Sequence, residues 1–239
     1  MARLLTLSLL ALPLACAAQN SNVLLTRDVN GNFAIGYSLV PPNDRAVQGN
    51  INLLAGWVPA SLLLTGNKLP TVELTKYDLL RQELRVRRPK GDSIIVPLSR
   101  LQEFTFQASG GAGRRFVCYP AATLPADVGG GCGEVLANGA NLQLLKFWRK
   151  VVVQRPSSDN SYASNTNVNQ LEEQTRYYLR WADGRFVPLR LKRASLEQAL
   201  VGQPAALAAL KARKGGLGSE ADLAAAVLDL NPLLTAPAR

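Results

Sequence analysis

Polar and apolar residues alternate along Glu83-Leu84-Arg85-Val86-Arg87, which places Leu84 and Val86 on one face of a strand and the charges on the other. Pro89-Lys90-Gly91-Asp92 supplies a turn, and the chain returns through Ile94, Val96 and Leu98. Leu101, Phe104 and Phe106 continue the apolar series, so Val72 to Phe106 reads as a β-meander. The same pattern recurs on both sides of it. Val23 to Thr26 and Phe33 to Val40 flank an Asn30-Gly31-Asn32 turn, and Ile51 to Thr65 carries further strand. Phe116 to Tyr119 is a short strand. Glu134 to Ala137 and Leu142 to Val153 flank Asn138-Gly139, a strong hairpin signal, and Thr175 to Trp181 and Phe186 to Leu191 flank Asp183-Gly184.

After residue 193 the period changes. Ser195-Leu196-Glu197-Gln198 reads as a capping box, Pro204 as the first residue of a helix reaching Lys214, and Ser219 as the start of a helix through Leu230. The fold class that follows is α+β: a mostly antiparallel β-meander, sandwich or barrel-like, with a small C-terminal helical cap. Leu84, Val86, Ile94, Val96, Phe104, Leu144, Phe147, Leu179 and Leu191 are the expected core. Residues 19–155 form the meander domain, the Ser/Asn-rich 156–173 a polar linker or loop, and 174–239 a hairpin plus helices.

Residues 1–18 have the order of a signal peptide: Arg3, an apolar run from Leu4 to Leu14, then small residues. That run is too short to span a bilayer, which needs about 20 residues, and no later stretch is apolar for long enough. Cys16 offers a second reading as the acylated residue of a lipobox, although Pro13 stands where that pattern wants Leu and Leu14 where it wants a small residue. Beyond the leader, Cys118 and Cys132 remain, and in an oxidising compartment they are expected to form a disulfide. The closed loop would contribute roughly 3 kcal/mol on the chain-entropy account.

Composition narrows the chemistry. The chain of 239 residues has 27 Lys and Arg, 17 Asp and Glu, and no histidine. Triads, Cys-His pairs and His-ligated zinc are thereby removed. Asp28-Val29-Asn30-Gly31-Asn32 starts like a calcium loop but fails at Phe33 and Leu39, and Ser109-Gly110-Gly111-Ala112-Gly113 contains no phosphate-binding Lys. No cofactor, metal or catalytic set is indicated. The formal net charge of +10 favours anionic partners. The basic residues are dispersed rather than blocked, which argues against a nucleic-acid binder. A ligand face, if the strands present one, would use Trp57, Arg85, Arg87, Trp148 and Trp181.

Lys76-Tyr77-Asp78, Gln82-Glu83-Leu84, Gly91 and Leu101-Gln102-Glu103-Phe104 resemble a group of exported Bacteroidota proteins with no established activity. Tyr177-Tyr178-Leu179, Asp183-Gly184, Leu189, Leu191-Lys192 and Ser195-Leu196 resemble the C-terminal part of the same group. The resemblance implies export, to the periplasm, the outer membrane or the exterior, and no mechanism. The first functional reading is a non-catalytic envelope component that contributes structure or protein contacts. The alternatives are a binding module for anionic glycans or lipid head groups, and a histidine-independent hydrolase built on paired carboxylates.

Overall fold

A computed structural model of the chain describes residues 24–26, 35–37, 49–107, 113–128, 130–156 and 167–234. The expected leader with Cys16, the Asp28 turn and most of the Ser109–Gly113 stretch lie outside these residues. The chain divides into two units, Met1–Ser38 and Leu39–Arg239. In the first, β1 (Leu24–Thr26) pairs antiparallel with β2 (Ile35–Tyr37), the expected hairpin.

The second unit is built on one antiparallel ten-stranded sheet. Its strands are β3 (Val58–Leu64), β4 (Thr71–Asp78), β5 (Glu83–Arg87), β6 (Ser93–Val96), β7 (Leu101–Phe106), β8 (Arg114–Cys118), β9 (Cys132–Asn138), β10 (Leu142–Pro156), β11 (Asn167–Trp181) and β12 (Phe186–Leu189). The spatial order is β12-β11-β10-β9-β8-β7-β3-β4-β5-β6, two meanders joined where β3 pairs with β7. β6 therefore lies at the sheet's far edge, yet only residues 97–100 connect it to β7. Four residues reach at most about 3.5 Å each, so β3 to β7 must roll up. The expected choice between sandwich and barrel resolves as a single sheet, rolled at one end and open at the other, in an α+β fold.

Register places one continuous face inward. Leu62 lies opposite Phe104, Tyr77 opposite Leu84, Leu84 opposite Val96, and Phe104 opposite Phe116. Inside the roll the Phe104 and Phe116 rings stack with centroids 4.8 Å apart, and Tyr77 meets both edge-on at 5.4 and 5.9 Å. At the open end the same face carries Leu142, Leu144, Leu179 and Trp181, and α1 (Arg193–Ala199), α2 (Pro204–Ala212) and α3 (Glu220–Leu230) cover them with Leu196, Leu210, Leu223 and Val227. The expected core is buried throughout except Leu191, which is half-buried at the margin of the helical cluster.

Close approaches lock the two ends. Asn231, at the C-terminal end of α3, donates from Nδ2 to the Leu142 carbonyl at 2.8 Å and accepts the Asn141 N–H at 2.9 Å. A Cβ on Gly139 would sit 1.7 Å from that Nδ2, so the Asn138-Gly139 turn needs glycine to receive the helix. At the rolled end Gln82, at φ 56°, donates to the carbonyls of Leu79 and Trp148 at 2.8 and 3.0 Å. Its Oε1 accepts the Tyr77 hydroxyl at 2.7 Å, and Gly131 leaves room for it.

Two expectations are corrected. The polar linker set at 156–173 is strand from Asn167 onward, where Leu171 pairs with Val152 and Glu173 with Lys150. Ser195 does not cap α1, which begins at Arg193. Its Oγ instead accepts the Arg190 N–H at 3.0 Å and closes the turn leaving β12. Ser219 does cap α3, accepting the Asp222 N–H at 3.1 Å, and Pro204 does open α2.

Candidate functional site

The inward face carries charge where the roll meets the helical cap. Glu134 of β9 and Lys146 of β10 are cross-strand partners, only 8% and 6% exposed. Arg114 grips Glu134 with both arms, Nε to Oε1 at 2.7 Å and Nη2 to Oε2 at 2.8 Å, and the Trp148 indole N–H reaches Oε2 at 2.5 Å. Lys146 Nζ meets Glu220 Oε1 at 2.5 Å, as does the Tyr177 hydroxyl at 2.6 Å. The Trp148 ring lies 3.6 Å from Lys146 Nζ and 5.2 Å from the Arg114 guanidinium carbon.

Two cations and two carboxylates thus neutralise one another. Burial works to raise the Glu220 carboxyl, but the hydrogen bonds from Lys146 and Tyr177, with the charges of Lys146 and Arg114, hold it below the usual carboxylate range. Burial and then the Glu220 bond push the Tyr177 phenol up to about 12. Both carboxylates are engaged by protein donors, and the cluster ties α3 to the sheet.

The disulfide lies on the face of Phe116 and Glu134, and the strap it closes reaches the outer face. Cys118 and Cys132 lie opposite one another in β8 and β9 and are bonded, 14 residues apart in sequence. The intervening strap lays Leu124 and Val128 over Leu145, Phe147 and Tyr178. Asp127 accepts the Tyr178 hydroxyl at 2.6 Å and pairs with Arg176 at 2.6 Å. The Tyr178 bond first and then Arg176 hold the Asp127 carboxyl below the ordinary value, against a smaller effect of burial, while burial and Asp127 push Tyr178 up to about 12.

Beside this strap lies a groove of about 890 Å³, where β12 stops at Leu189. Asp127 stands on the strap side and Ser195 and Gln198 of α1 on the other, with Thr175 to Tyr178 between them. Arg176, Arg190 and Lys192 also line it. Asp127 engages Arg176, whereas the Arg190 guanidinium and the Lys192 ammonium have no hydrogen-bond or ion-pair partner among the described residues.

The residues singled out from the sequence are not brought together. Trp57 is half-buried beneath Lys76, whose Nζ lies 5.2 Å from the ring. Arg85, opposite Lys76, pairs with the wholly buried Asp78 at 3.1 Å, and Arg87 is exposed at the end of β5. Trp148 belongs to the inward charged cluster, and Trp181 is buried under the helices. Arg114, Glu134 and Lys146 escaped sequence reading because charged positions in alternating strands read as outward-facing, and Glu220 because an acidic residue in a first helical turn reads as part of the helix start. Among the described residues no three acidic, cysteine or histidine side chains converge as a metal site, and no helix is long and apolar enough to cross a membrane.

No family model matches the chain, and no curated protein or solved structure resembles it significantly.

Proposed function

We propose that the protein is an exported envelope component that works by contact with another polypeptide, without catalysis. The observation that carries this reading is the edge of β11. β12 pairs only with Tyr177 to Arg180, so residues 167–176 of β11 have no strand on that side among the described residues. On their other side they pair with β10 in unbroken register out to Asn167 opposite Pro156. The ribbon is therefore formed, and one row of its peptide groups meets no other strand among the described residues.

A long open edge is a template for a further strand, and natural sheets usually blunt such edges. The two end strands of this sheet are blunted, while β10 has no strand on its β9 side past Phe147 among the described residues. β6 has four residues and ends at Pro97, and β12 has four residues and carries Pro188. Export is supported by the order of residues 1–18, by the likeness to exported Bacteroidota proteins, and by a disulfide of the kind that persists in oxidising compartments. The satisfied carboxylates of the inward cluster favour contact over hydrolysis.

The test is photo-cross-linking in the envelope of the native host. A photoreactive residue at Gln170, beside the open edge, is expected to give a discrete protein adduct that disappears when Glu173→Pro is added. One at Arg87 is expected to give none. The same adducts from both positions, or an adduct insensitive to the proline, would remove the edge as the contact surface.

A further inference from the structure

The direction of the open peptide groups follows from the hairpin. Trp181 donates its N–H to Arg185 on the β12 side, and Ala182 donates to Asn141 on the β10 side. Along a strand the two sides alternate, so Thr175, Glu173, Leu171 and Asn169 turn their N–H and C=O groups to the open edge. A strand added there lies in line with β12 and runs into the groove. It cannot continue, because Leu189 already occupies the position opposite Tyr177 and the chain turns away through Arg190 to Lys192.

The groove is a closed end, and Arg190 and Lys192, two cations without side-chain partners among the described residues, stand at it. A closed end admits a chain terminus rather than a through-going strand, and cations select the terminus that carries a carboxylate. We propose that the open edge of β11 takes the C-terminal end of an extended partner polypeptide, parallel to β11, with its terminal carboxylate held by Arg190 and Lys192. The inference rests on the edge-contact reading above and names the chemistry of the partner.

Selectivity follows from the neighbouring side chains. Glu172 and Glu173 flank the edge upstream of the groove, so like-charge repulsion disfavours acidic residues just before the terminus. Arg176, engaged by Asp127, forms part of the wall, so the disulfide strap shapes the groove from the outer side. Reducing the disulfide is expected to weaken binding without touching Arg190 or Lys192.

The test uses the full exported chain, oxidised, against an array of short peptides presented both with free C-terminal carboxylates and as C-terminal amides. A subset of the free-acid peptides is expected to bind. Amidation, and separately the Arg190→Gln/Lys192→Gln pair, is expected to weaken that binding about tenfold or more, and Glu173→Pro is expected to abolish it. Thermal melts verify that each variant folds, and the charge pair is an exposed exchange that leaves the core untouched. Equal binding of acids and amides, with Glu173→Pro still blocking, would overturn carboxylate capture and leave edge contact standing. So would self-association through β11 with no peptide bound. Binding that ignores the proline would overturn edge contact as well. An array with no binders, alongside an intact cross-link at Gln170, would overturn the C-terminal partner alone.

Discussion

The two halves of the β10–β11 pair are continuous in register and opposite in circumstance. In the inner half, Leu142 to Phe147 has β9 on one side and β11 on the other, the helices over Leu142 and Leu144, and the strap over Leu145 and Phe147. In the outer half the β9 pairing has ended: the Trp148 carbonyl and the Lys150 N–H meet the turn after β4 through Gln82 and Leu79, and Lys150 Nζ donates to the carbonyls of Asn50 and Asn52. The inner half is closed on both sides and both faces. The outer half keeps its ladder to β11, whose far edge has no strand among the described residues. The same pair of strands serves as core at one end and as a template at the other.

Truncating one side chain in each half separates the two most strongly. Leu144→Ala in the inner half leaves a cavity under α3 and is expected to cost about 2–5 kcal/mol. Val152→Ala in the outer half, where the side chain is 42% exposed, is expected to stay within about 0.5 kcal/mol. Urea unfolding of both variants measures the difference, and equal losses would mean that the ribbon is packed as tightly as the core. Replacing both cysteines, Cys118→Ser/Cys132→Ser, is expected to cost about 3 kcal/mol and to loosen Leu124 and Val128 from Phe147.

The smallest effect concerns pH. Tyr177 and Tyr178 hold phenols pushed up to about 12, first by burial and then by Glu220 and Asp127 respectively. A group raised above its unfolded value, here about 10, contributes stability in full below pH 10 and loses it as pH climbs towards 12. Stability is therefore expected to fall across that alkaline window, and less steeply in Tyr177→Phe and Tyr178→Phe. Unfolding midpoints at successive pH values check the slope, which an unchanged profile in both variants would refute.

Much of the fold was legible because its periods are simple. Leu84 and Val86 alternate as half-buried strands do, Asn138-Gly139 marks a hairpin, and Ser219 and Pro204 mark helix starts. The Cys118–Cys132 bond followed from counting thiols. The rolling of the sheet was not legible, because it depends on β3 meeting β7 across two intervening hairpins. The outer half of β11 was hidden for a different reason. Asn167-Val168-Asn169-Gln170 lies beyond the helices and the strap, so selection for burial leaves no alternation to read. The inward cluster inverts the usual rule, since Glu134 and Lys146 look solvent-facing and satisfy each other's neighbours inside.

Among the described residues β11 has a partner strand on one side only from Asn167 to Arg176, and amide hydrogen exchange reads this residue by residue. In the isolated protein, Gln174 and Glu172, which face β10, are expected to exchange slowly, whereas Thr175, Glu173 and Leu171 exchange orders of magnitude faster. Inner residues such as Leu179 and Leu144 are expected to exchange only on global unfolding. Alternating protection along the outer half would establish the open edge. Uniform slow exchange from Leu171 to Thr175 would show that the edge is already covered and would contradict the account.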